Sequence, residues 1–203
     1  IYVDITDNKI RQRQFEWLYN ESQAILGSTD TETICDHTLG AARELVDFDR
    51  AGIYLYDRET EGLVPVVTAG DDSHGWEPYT EMGSIAWEVY RSGPRWFEDF
   101  SNCDLTVPCG DKQGSSLFVP LGEHGVLTMA TEQAGQFDET DFQVTKLLGV
   151  IVEVALDRSL REHGLAEVQS MTGQILDAED HEEAARRVLD QMLEVRDMPL
   201  SPI

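Results

Sequence analysis

Residues 115–121 and 126–131 are two apolar runs separated only by Gly122-Glu123-His124-Gly125. Four residues are too few for a crossover, so the two runs must lie side by side as an antiparallel hairpin. Residues 51–56 and 63–68, joined by the charged turn 57–62, repeat the arrangement, and 95–97 reads as a further short strand. Helical spacing surrounds these strands. It covers 9–26, with Phe15, Leu18 and Ile25 on one stripe, and 31–46, capped by Thr29 or Thr31. A short helix over 85–91 is capped by Ser84 and closed by Ser92-Gly93-Pro94. A long helix opens at Asp138, with Asp141 three residues on as in a capping box. Residues 1–8 alternate as a strand does, and 98–114 reads as an irregular loop. Hairpins interleaved with helices predict an α+β fold. Its centre is an antiparallel sheet of about five or six strands flanked by helices, with long connector helices at both ends.

Charge narrows the choice of partners. The 203 residues carry 39 Asp and Glu against 15 Lys and Arg, a net charge of −24, and only Lys9, Lys112 and Lys146 are lysines. Phosphate repulsion argues against direct nucleic-acid binding and against an anionic membrane surface. Such acidity with scarce lysine suits a protein adapted to molar salt, where the Debye length shrinks to about 3 Å; an ordinary acidic protein is the other reading. The longest apolar run, 147–152, is too short to span a bilayer. No signal peptide is visible, and three cysteines (Cys35, Cys103, Cys109) make no disulfide framework, so the expected location is cytoplasmic.

Several segments in order resemble a GAF domain over about residues 22–158. They are Arg43-Glu44-Leu45-Val46-Asp47-Phe48-Asp49-Arg50 followed by Ala51-Gly52-Ile53-Tyr54-Leu55-Tyr56-Asp57, then Gly83-Ser84-Ile85-Ala86-Trp87. Ser116-Leu117-Phe118-Val119-Pro120-Leu121 with Gly125-Val126-Leu127, and the closing helix from Phe137-Asp138 to Asp157-Arg158, complete the series. Val3-Asp4-Ile5-Thr6-Asp7-Asn8-Lys9 resembles the last strand of a PAS domain and its linker. With the acidity, these features are similar to haloarchaeal regulators of the bacterio-opsin-activator kind and to multidomain sensor kinases. The expected organisation is therefore 1–8 as a PAS-like end, 9–26 as a connector helix, 27–158 as the GAF domain and 159–203 as a second connector. A shift of 150 residues aligns Ile25-Leu26 with Ile175-Leu176, Asp30 with Asp180 and Leu39 with Leu189, which reads either as a second module beginning near residue 171 or as chance between two amphipathic helices. In the first case the chain reads as a piece of a longer protein.

The resemblance implies a sensor of a small molecule or of redox state, acting in a dimer through its flanking helices. Trp76, Trp87, Trp96 and Phe97 fall in the segment that covers the ligand pocket in GAF domains, and with Phe118 they are the candidate ligand-binding residues. The alternative is that these rings fill the space and leave no cavity. Cys103 and Cys109 share one loop and are candidates for a redox pair, or are incidental thiols. Phe15, Leu18 and Ile25 on the first helix, and Leu148, Val152 and Leu156 on the last, are the candidate dimer seam. His124 is expected to be exposed in its turn. No metal-ligand spacing, nucleophile elbow or phosphate loop appears, so catalytic and metal residues are expected to be absent and the cofactor is unknown. Of the pattern N-K-x-F-D-E found in some cyclic-nucleotide-binding GAF domains, only Phe137-Asp138-Glu139 remains. The function expected is a non-catalytic sensory module, partnered by an unidentified small molecule and a second copy of itself. The alternatives are a ligand-free spacer or the sensor part of a histidine kinase.

Overall fold

A computed structural model of the chain describes residues 21–70, 77–79, 84–100 and 114–166. The strand expected at 1–8, the residues Phe15, Leu18, Trp76, Cys103 and Cys109, and the candidate second module from 171 lie outside these residues. The chain divides into two compact units, Ile1–Ser159 and Leu160–Ile203. The first unit contains every strand among the described residues.

Five strands form one antiparallel sheet: β1 (Arg50–Asp57), β2 (Gly62–Gly70), β3 (Arg95–Phe97), β4 (Ser116–Pro120) and β5 (Gly125–Ala130), in the order β2-β1-β5-β4-β3. Both expected hairpins are present. The β1–β2 turn is closed by the Asp57 carboxylate, which accepts from the Thr60 hydroxyl at 2.7 Å and the Thr60 N–H at 3.1 Å. Those bonds hold the carboxyl below its ordinary pKa.

Because side chains alternate across a strand, each strand supplies two layers. Ala51, Ile53, Leu117, Leu127 and Met129 face one side and form the main core with α1 (residues 21–27), α2 (Thr31–Leu45) and α4 (residues 139–166). Tyr54, Phe118 and Val126 face the other, where α3 (Ile85–Ser92) packs with Leu63 and Phe100.

The helices start where side chains satisfy their first N–H groups. Asp30, rather than Thr29 or Thr31, caps α2, accepting from the Thr33 N–H at 2.8 Å and its hydroxyl at 2.7 Å. A carboxylate also complements the positive end of the helix dipole, which a threonine does not. Ser84 caps α3 through the Trp87 N–H. At α4 the box is reciprocal: Asp138 accepts from the Asp141 N–H, and Asp141 accepts from the Asp138 N–H, each at 3.0 Å. Helix α4 continues through Gly164 to residue 166, so that glycine does not end it.

Candidate functional site

On the α3 side the sheet is covered by aromatic rings in two groups. Trp87 stands edge-on to Tyr56 at 6.0 Å and to Tyr90 at 5.6 Å, while Tyr56 and Tyr90 stack at 5.7 Å. The Arg91 guanidinium lies 5.6 Å from the Trp87 ring, within cation–π reach. Tyr79 closes this group from above. It forms an antiparallel bridge with Leu63, its ring centre is 4.6 Å from that of Tyr54, and its carbonyl accepts from Trp87 Nε1 at 2.6 Å. Burial pushes the Tyr54 and Tyr79 hydroxyls above the ordinary phenol range, so both stay protonated. The second group is Phe97, Phe100 and Phe118, with centres 5.3 to 6.1 Å apart.

The candidate ligand residues do not form one cluster. Trp87, Phe97 and Phe118 meet on the α3 side. Trp96, one residue before Phe97 in β3, points the other way, packs on the main core and sits 6.1 Å from the Phe142 ring of α4. Its indole N–H is buried without an acceptor, a cost of about 1–3 kcal/mol. A cavity of about 500 Å³, open to solvent, runs beside β3 and is bordered by Gly93, Pro94, Arg95, Trp96, Phe97 and Phe142. Arg95 at its rim is paired with Glu88. The space therefore adjoins Trp96 and Phe97, whereas Trp87 is packed under Tyr79.

Tyr54 and Tyr56 were legible as same-face neighbours two apart on β1, and Tyr90 as one turn beyond Trp87. Phe100 and Tyr79 carried no local signal, because loop residues have no periodicity to read.

The remaining candidates fall elsewhere. Ile25, Leu148, Val152 and Leu156 are buried in the core of their own domain. The exposed apolar residues on α4 are instead Leu147, Val150 and Val154, together with Leu160 and Leu165 further along. His124 is not exposed as expected: only 11% of its side chain meets solvent, and Nε2 lies 2.7 Å from Asp157 Oδ1 on α4. The helix packs against the hairpin turn and covers the ring. Cys35 lies within α2 in the core. Burial, then the nearby Asp36, Asp30 and Glu32, push its thiol up to about 12, so it remains an inert thiol at neutral pH. Among the described residues no group of three side chains is placed to hold a metal ion, and no helix is long and apolar enough to cross a membrane.

The same architecture recurs in solved structures. Free methionine-R-sulfoxide reductase from Neisseria meningitidis matches with a TM-score of 0.64 at 22% identity, over 73% of this chain and 91% of that one. The GAF domain of an Acinetobacter phosphoenolpyruvate-protein phosphotransferase matches at 0.63 and 19%, over 73% and 95%. The GAF domain of the cyanobacteriochrome TePixJ matches at 0.55 and 19%, over 66% and 94%. At these identities the likeness is one of fold. No curated protein sequence matches the chain. The family model described as "GAF domain" matches residues 28–157. That span runs from the α1–α2 turn to Asp157 and takes in the whole sheet, so the chain belongs to the GAF-domain family.

Proposed function

We propose that this chain senses a small molecule at the β3 edge of its sheet, beside the α3–β3 turn, and passes the state of that site to its terminal helices. It would do so as a homodimer within a cytoplasmic signal-transducing or transcription-regulating protein. The observation that carries the reading is the open cavity at the β3 edge, bordered by Phe97 from the α3 side and by Trp96 and Phe142 from the main-core side. Apolar walls with a few polar atoms (here the Arg95–Glu88 pair and the α3–β3 turn) are the usual make-up of a small-molecule site. The net charge of −24 supports a salt-adapted protein with no direct nucleic-acid contact. In this reading the protein is a haloarchaeal regulator of the bacterio-opsin-activator kind, with a PAS-type domain ending at residue 8. Cys103 and Cys109 would supply a redox input only if they pair.

The test is an absorbance and mass spectrum of protein purified in molar KCl, before and after denaturation. The expected result is a released small molecule or a visible band, lost when Phe97→Ala and Trp96→Ala open the lining. A colourless protein that releases nothing, even after incubation with extract of its own cells, favours a ligand-free spacer. The close packing of Trp87 under Tyr79 is the observation on that side.

A further inference from the structure

We propose that the β4–β5 turn is a relay from helix α3 to helix α4, with Tyr90, His124 and Asp157 as its positioning residues. The inference rests on the reading above, in which the cavity beside the α3–β3 turn is the input, and it names a route through α3 by which the input reaches the far end of α4.

The first link is on the α3 side. The Tyr90 hydroxyl donates to the Glu123 carbonyl at 2.8 Å, and the Tyr90 ring belongs to the Trp87 aromatic group. The turn itself is stiff. The His124 N–H donates to the Leu121 carbonyl at 3.1 Å, the Leu121 N–H to the Gly125 carbonyl at 2.8 Å, and the Tyr56 N–H to the His124 carbonyl at 2.7 Å. A displacement of the Glu123 carbonyl is therefore carried to the next residue rather than absorbed.

The second link is on α4. Three positions four residues apart lie along β4 and its turn. A Cβ on Gly149 would meet Val119 at 2.6 Å, the Glu153 side chain sits where a Cβ on Gly122 would be, and Asp157 holds the His124 ring. On the next two residues Arg158 donates to the Ser28 carbonyl at 2.6 Å and the Ser159 hydroxyl bonds the Thr29 carbonyl. Ser159 is the last buried residue of α4 among those described, and 160–166 are exposed. Residues 157–159 thus form a collar where the burial of α4 ends. One side of the collar is tied to the turn that Tyr90 touches, and the other to the turn before α2. Coupling needs an element with two arrangements that each site can bias. The His124–Asp157 contact, made or broken, is that element, because it joins side chains on two separate elements of the fold.

The test is hydrogen exchange on the full 203-residue chain without any ligand, comparing Tyr90→Phe, Asp157→Ala, their combination, His124→Ala and His124→Gln. Loss of one such hydrogen bond corresponds to about a three- to tenfold rise in local opening. The expected result is a rise of that size for amides 153–159 in Tyr90→Phe, with the amides of α2 unchanged. Adding Tyr90→Phe to Asp157→Ala should produce no further rise. His124→Gln, which can still donate to the carboxylate, should exchange more slowly than His124→Ala. The relay is overturned if Tyr90→Phe leaves 153–159 unchanged, if α2 rises equally, if the two substitutions multiply, or if glutamine rescues nothing. No ligand enters the measurement, so its failure leaves the small-molecule reading standing, and an empty protein leaves the relay standing.

Discussion

Two glycines in helices show how far a single residue's meaning depends on its neighbours. Gly40 in α2 has open space where a Cβ would go, whereas a Cβ on Gly149 in α4 would lie 2.6 Å from Val119 Cγ1 and 3.2 Å from the Pro120 carbonyl. Helix propensity favours alanine at both by roughly 0.5–1 kcal/mol. At Gly149 overpacking against the short Val119 side chain costs about 1–3 kcal/mol and wins. Gly40→Ala should raise stability by roughly 0.5–1 kcal/mol, and Gly149→Ala should lower it by up to about 2 kcal/mol. Denaturant unfolding of both variants measures this, and two shifts of the same sign would contradict it. The site behaves likewise. Trp96 and Phe97 are adjacent in sequence and were read as one lining, yet the alternation of β3 sends them to opposite sides of the sheet. That split was legible once 95–97 was read as a strand.

At the scale of elements, caps and turns were local and readable. Ser84 and Asp138 start their helices as their spacing indicates, and both hairpins close over their short loops. Helix α4 was not readable in the same way. Its run 147–156 is apolar on more than one side, so a stripe through Leu148, Val152 and Leu156 and one through Leu147, Val150 and Val154 have equal periodic claim. Packing separates them: the first is buried and the second is exposed. A homodimer seam on this helix is therefore expected along the second. Leu147→Glu with Val154→Glu should convert a dimer to a monomer in sedimentation, with little change in melting temperature. Leu148→Ala should instead lower stability by about 2–5 kcal/mol, as a core truncation does. A dimer that survives both glutamates would move the interface off α4.

At the scale of the whole molecule, charge dominates. With −24 on 203 residues, self-repulsion acts over a Debye length of about 10 Å at 0.1 M salt and about 3 Å at 1 M. The melting temperature should therefore rise between 0.1 M and 2 M KCl, by about 2–4 °C for each kcal/mol of repulsion removed. Differential scanning calorimetry across that range measures it. A flat profile would mark an ordinary acidic protein rather than a salt-adapted one.

The sequence alone determined what depends on near neighbours: strand alternation, the two hairpins, the caps of α3 and α4, and the order of elements that resembles a GAF domain. These follow from backbone periodicity and from hydrogen bonds between residues a few positions apart. The tertiary structure decided which stripe of α4 faces inward, that Tyr79 bridges to Leu63, and that His124 is covered by α4 and meets Asp157. Each of those joins separate segments. Such contacts are set by how whole elements pack, and local periodicity carries no record of it.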